Sequence, residues 1–218
     1  MNSIFNRWLP AIARNHARKA VLSVAGMAIL GGVFAGPATA AFAGPSVPAG
    51  QQSLAVNYQQ QPNYYYCGPA AARIALSALG KTISMDTLAK QLGTTTDGTN
   101  SAAQITRVLN SDTGDGFYKT HKIPGQTATA AEMDQLKADV VHAISYNHPV
   151  VANVAGSVTD NAGAVHSYQG GHYLTVVGYT DGGLTVKISD PADPVGNGSY
   201  TMPVASLANW IATRGYSA

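Results

Sequence analysis

The sequence predicts an α+β domain in which helices come first and a mostly antiparallel sheet comes second. Two observations carry this. Between Cys67 and Leu109 apolar residues recur at spacings of three and four, the period of helices with one buried face. From Pro149 onward the chain changes to short apolar and aromatic runs divided by turn residues, with Asp181, Gly182 and Gly183 placed to close a hairpin between two of them. Helices followed by strands, with no regular alternation, favour an α+β arrangement over a doubly wound sheet.

The N-terminal stretch carries Arg7, Arg14, Arg18 and Lys19, then an apolar run from Ala20 to Ala35, then Ala38, Thr39 and Ala40 before Ala41. Basic region, short apolar region and small-residue cut site in that order predict a secretory signal over residues 1–41. The run is shorter than the roughly 20 residues of a membrane span and is interrupted by Gly26, Gly31 and Gly32. A second small-residue site at Ala41, Phe42 and Ala43 leaves the cut ambiguous. The full chain has 13 Lys and Arg against 11 Asp and Glu, and all four basic residues of the leader are lost with it. The exported domain is then near neutral and has no basic run, which excludes nucleic acid and stable membrane association as partners.

After the leader, residues 42–55 are rich in Gly, Pro and Gln and are expected to be a flexible lead-in, with the folded domain over 56–218. A first helix is expected from Cys67 to about Leu79: Pro69 suits its first turn, and Ala70, Ala71, Ile74, Ala75, Ala78 and Leu79 form one apolar face. Ser84 is placed to cap a short helix carrying Leu88 and Leu92 and closed by Gly93. Thr94 to Asn100 is a loop by composition, and Ser101 opens a third helix with Ala102, Ile105, Val108 and Leu109 inward. A weak strand is expected over Phe117 to Ile123, ended by Pro124 and Gly125. Thr129 and Glu132 have capping-box spacing for a helix reaching about Asn147. Strands are expected over Pro149 to Ala155, His172 to Tyr179, Leu184 to Ser189 and Ser199 to Met202, before a last helix from Pro203 to Thr213.

Cys67 is the only cysteine, so no intramolecular disulfide can form even though export would place it in an oxidising compartment. The ordinary reading of a lone cysteine is a small buried hydrophobe. Its place at a helix start favours another: unpaired amides and the positive end of the helix dipole there favour the thiolate, which is the nucleophilic form. A cysteine nucleophile needs a base, and the base needs a group to orient it. Of the histidines after the leader, His172 is the best candidate, since it follows Gly170 and Gly171 and heads the apolar run Tyr173 to Val177. His142 falls within a helix, His121 and His148 stand beside turn prolines, and His166 is expected in a polar loop. The hairpin brings the end of its second strand, Asp190, toward His172, with Asp193 as its rival. The Cys67 backbone amide and one of Gln59, Gln60 or Gln61 are available as oxyanion donors.

Gln61 six positions before Cys67, the start Cys67, Gly68, Pro69, Ala70, Ala71, the pair His172, Tyr173 and the run Asp190, Pro191, Ala192 together resemble the papain-like cysteine peptidases. The resemblance is nearest to the bacteriocin-processing, double-glycine-leader peptidases, peptidase family thirty-nine, in a stand-alone secreted branch, and it covers about Val56 to Ala218. It implies a papain-like fold with N-terminal helices packed on the C-terminal sheet, and hydrolysis of peptide bonds through a thioester. By position it makes Cys67 the nucleophile, His172 the general base and then acid, Asp190 the orienter and Gln61 an oxyanion donor. It also implies that the loop with Thr96, Asp97, Gly98 and Asn100 borders the cleft and, with Gly171, meets a peptide or protein substrate. It implies no metal and no organic cofactor. Transporter-linked members carry a membrane and nucleotide-binding portion after the peptidase domain, which is not expected here. The same triad serves acyl transfer and cell-wall amide hydrolysis, and a silent peptide-binding module of the same fold is the reading from another class.

Overall fold

The computed structural model describes residues 50–193 and 198–218. The expected signal segment, and the lead-in as far as Ala49, fall outside the described residues. The elements in order are β1 (Gln52–Ser53), α1 (Cys67–Ala78), α2 (Met85–Leu92), α3 (Ala102–Thr113), β2 (Thr120–Lys122), α4 (Ala130–Ser145), β3 (Val150–Thr159), β4 (Val165–Thr180), β5 (Thr185–Ser189), β6 (Ser199–Pro203), α5 (Val204–Ile211) and β7 (Gly215–Ser217). The strands form one sheet in the order β2-β7-β3-β4-β5-β6, with β1 paired to β4. Every pairing is antiparallel. Among the described residues no helix is long and apolar enough to cross a membrane.

The helices begin and end where local chemistry tells them to. Ser84 Oγ accepts the Thr87 amide at 3.1 Å and starts α2, and Gly93 ends it in the left-handed conformation at φ 64°. Gln104 Oε1 accepts the Ser101 amide at 3.2 Å at the start of α3. Thr129 and Glu132 cap α4 reciprocally, the Thr129 amide reaching Glu132 Oε2 at 2.7 Å.

The sheet is covered on both faces, and the period of two in its central strands decides which side chain meets which helix. Val150, Ala152, Val154, Leu174 and Val176 share a core with Leu136, Val140 and Ile144 of α4 and Leu207 and Ile211 of α5. Val151 and Tyr173, one position out of phase, pack instead with Ala71 and Ala75 of α1, Leu88 of α2 and Ile105 of α3. The alanines of α1 let it approach the sheet closely enough for Thr175 Oγ1 to donate to the Ala71 carbonyl at 3.0 Å. That contact holds the start of α1 against β4, the relation on which the site depends.

Several strands differ from expectation. β4 runs from Val165 rather than His172, because Val165 to Tyr168 pair with Thr159 to Gly156 of a lengthened β3. His166 therefore lies on a strand and not in a loop. A bulge between Val154 and Gly156 marks the change of register beside His172. The sheet begins before the expected domain start near Val56: Gln52 and Ser53 pair with Tyr179 and Gly178, and Leu54 packs on the core. Gly178 permits this, since a Cβ there would sit 2.6 Å from the Gln52 carbonyl oxygen. β2 is only three residues long, and β7 joins β2 and β3 after the point where the last helix was expected to end.

Candidate active site

Cys67 is the first residue of α1, with Tyr66 as N-cap and no side chain capping it. The helix's hydrogen bonding begins with the Ala70 amide on the Tyr66 carbonyl at 3.0 Å. The amides of Cys67 and Gly68 precede that bond and are left without an intrahelical acceptor, so the helix opens with donors beside the sulfur. Cys67 is 6% exposed and His172 3% exposed.

His172 Nε2 donates to Asp190 Oδ1 at 2.7 Å, and Asp190 is fully buried. With Nε2 so occupied, Nδ1 is the ring nitrogen left to face the sulfur, and Cys67 lies close enough to act on the charge of the ring. Burial opposes a charge on His172, but the hydrogen bonds and charges of Asp190 and Cys67 outweigh it and raise its pKa to about 9. Burial likewise opposes the Asp190 carboxylate, yet the bond from His172 and those from Ala192 and Tyr200 hold its pKa below the usual value.

Asp190 is satisfied on all sides. Its Oδ1 also accepts the Ala192 amide at 2.9 Å, while Oδ2 accepts the hydroxyls of Tyr168 at 3.0 Å and Tyr200 at 2.8 Å. Tyr168 does a second job: its ring stacks on His172 with centroids 3.9 Å apart, closing that side of the imidazole to water. Behind them His166 stacks on Tyr200 at 3.8 Å and is paired with Asp160 at 3.0 Å. The two tyrosines are site residues that the sequence reading missed. They lie 22 and 10 positions from Asp190, and an isolated tyrosine carries no motif.

A cleft of about 450 Å³ opens over the sulfur. Thr96, Asp97, Gly98, Asn100 and Gly171 all line it together with Cys67 and His172, as do Thr99, Asn153, Tyr173 and Arg214. The loop wall is a tight turn: Thr95 and Gly98 exchange backbone hydrogen bonds at 3.1 and 2.9 Å, and Thr94 and Thr99 join hydroxyls at 2.8 Å. It is seated on the start of α1, since a Cβ at Gly68 would overlap the Thr99 hydroxyl.

Gln61 stands differently. Its amide nitrogen donates to the Pro191 carbonyl at 2.9 Å, tying it to the Asp190 turn. Its side-chain Nε2 donates to the Asn63 carbonyl at 2.8 Å, leaving one hydrogen unassigned, and Gln61 is not among the residues lining the cleft. Asp193, the rival orienter, receives the Tyr58 hydroxyl on its backbone carbonyl at 2.6 Å, and it is Asp190 that meets the imidazole.

The sequence profile described as "Peptidase_C39 like family" matches residues 53–218. Among curated proteins none matches the sequence at a significant level. Solved structures with a similar backbone include a Bacillus anthracis protein described as a C39-like peptidase, at 14% identity and TM-score 0.49, covering 74% of this chain and 93% of that one. Another is the peptidase domain of Streptococcus ComA, a bifunctional ABC transporter of a quorum-sensing pathway, at 19% identity and TM-score 0.46, covering 74% of this chain and 96% of that one. A third is a double-glycine-motif protease from an AMS/PCAT transporter, solved with its leader peptide, at 15% identity and TM-score 0.45, covering 75% and 91%.

Proposed function

The chain belongs to the C39-like peptidase family, and from that premise we propose that it is a secreted cysteine peptidase whose nucleophile is Cys67. The observation that carries this reading is that Cys67 and His172 line one cleft while the imidazole is bonded behind it to the buried carboxylate of Asp190 at 2.7 Å.

The Cys67 sulfur attacks the carbonyl carbon of a peptide bond while His172 holds the thiol proton on Nδ1. The carbonyl electrons move to oxygen, and the amides at the start of α1 are the nearest backbone donors for that oxyanion. Gln61, whose Nε2 is held on the Asn63 carbonyl outside the cleft lining, has to turn toward the sulfur to act as the second donor. Collapse of the tetrahedral species breaks the C–N bond, His172 passes its proton to the leaving amine, and a thioester remains on Cys67. His172 then takes a proton from water, the hydroxide displaces the sulfur, and the acid product leaves with the thiol restored. Asp190 fixes the ring orientation throughout and favours the imidazolium. The loop from Thr96 to Asn100 and Gly171 hold the peptide, and residues 1–41 direct export.

The test is hydrolysis of a random peptide library by the exported chain, read by mass spectrometry. Cleavage that disappears in Cys67→Ser and His172→Ala, with a trapped thioester on Cys67 after acid quench, supports the reading. Intact peptides under the same conditions, or cleavage that survives Cys67→Ser, contradict it.

A further inference from the structure

One cationic group in the cleft has no counterpart among the described residues. Arg214 precedes β7 and lines the same cavity as Cys67 and His172. All 11 acidic residues of the chain fall among the described residues, and none is paired with its guanidinium. Asp97, the one carboxylate in the cleft lining, belongs to the loop wall and forms no ion pair with Arg214.

The position is built. The Arg214 amide donates to the Ile211 carbonyl at 2.8 Å, and its carbonyl accepts the Ile123 amide at 3.2 Å. The preceding residue, Thr213, sits at φ 67°, a conformation unfavourable for a threonine, and is held there by bonds to the Ile123 and Gly125 carbonyls at 2.7 and 3.0 Å. The guanidinium lies against Gly171, where a Cβ would come within 3.2 Å of its terminal nitrogen, so the glycine next to His172 makes room for it. Around it the cleft offers donors: Tyr173, whose hydroxyl accepts from Asn153 Nδ2 at 3.0 Å, keeps its own hydrogen to give. Both Arg214 and Cys67 are within electrostatic reach of that hydroxyl.

Resting on the peptidase reading of the same cleft, we propose that Arg214 is its specificity residue, and that the substrate is a peptide presenting a carboxylate to it near the scissile bond. A half-buried guanidinium with its fork unoccupied pairs best with a planar carboxylate, through two parallel hydrogen bonds. The carboxylate belongs either to an Asp or Glu side chain or to the free end of a chain.

The experiment measures how well peptides protect Cys67 of the exported chain from iodoacetamide, a readout that does not require turnover. The probes are acetylated, amidated hexapeptides differing by Glu or Gln at each position in turn, with a second set bearing a free C-terminus. At one position Glu should protect about tenfold better than Gln. That preference should vanish in Arg214→Gln, survive in part in Arg214→Lys, and fall in the unmodified chain as salt is raised to 1 M. A gain confined to free C-termini assigns the carboxylate to a chain end. Equal protection by Glu and Gln at every position and by free and amidated ends, or a preference unchanged in Arg214→Gln, overturns the inference even if peptides are cleaved. Should Arg214→Gln not fold, a preference in the unmodified chain that ignores salt overturns it equally. Charge-selective protection without any cleavage leaves Arg214 its role and removes the hydrolytic one.

Discussion

At the scale of single residues the site turns on Asp190, a buried carboxylate whose two oxygens receive four hydrogen bonds. Its charge favours the imidazolium of His172, so Asp190→Asn should lower the His172 pKa from about 9 and bring the alkaline limb of kcat/KM to lower pH. The rate should fall by a factor on the order of 10² or more, since the ring also loses its orienter. Asp193→Asn should do neither, and a pH-rate profile of the two variants separates them. Cys67 and Asp190 were legible in the sequence because helix starts and hairpin ends announce themselves locally, and His172 because an apolar run follows its two glycines, although its strand begins earlier, at Val165. Tyr168, Tyr200 and Arg214 were not, because each acquires its role only when the fold brings it beside a residue distant in the chain.

Among elements, the most telling contact is between α1 and the loop that follows α2. Gly68 has no side chain where Thr99 needs the space, and Thr99 is branched at Cβ and cannot swing away without moving its backbone. Gly68→Ala should therefore push the loop off the helix start, costing about 1–3 kcal/mol in denaturant unfolding and raising KM for peptides more than it lowers kcat. Helices were readable in advance because Ser84, Ser101 and Thr129 each mark a start by a bond formed within three or four residues. The front half of β4 was not. Ser167, Gln169, Gly170 and Gly171 have weak strand preference, and this half is extended because β3 pairs with it. β7 is three residues long and follows a threonine at positive φ, so no periodicity could show it.

For the whole molecule, the buried couple makes stability depend on pH from both ends. His172 is raised above its ordinary value of about 6.5, so what it contributes is complete below that value and fades as pH rises through about 9. Asp190 is held below its ordinary value, so its contribution is present above that value and fades in acid. The melting temperature of the unmodified chain should exceed that of Asp190→Asn most between about pH 4.5 and 6.5, with the gap narrowing in acid and as pH rises toward 9. The same couple is what the function rests on, and the rate of Cys67 alkylation by iodoacetamide near pH 6 probes it most directly. Fast labelling in the unmodified chain that slows sharply in His172→Ala is the predicted result. Slow labelling, typical of an ordinary protonated thiol and indifferent to His172, would contradict the account.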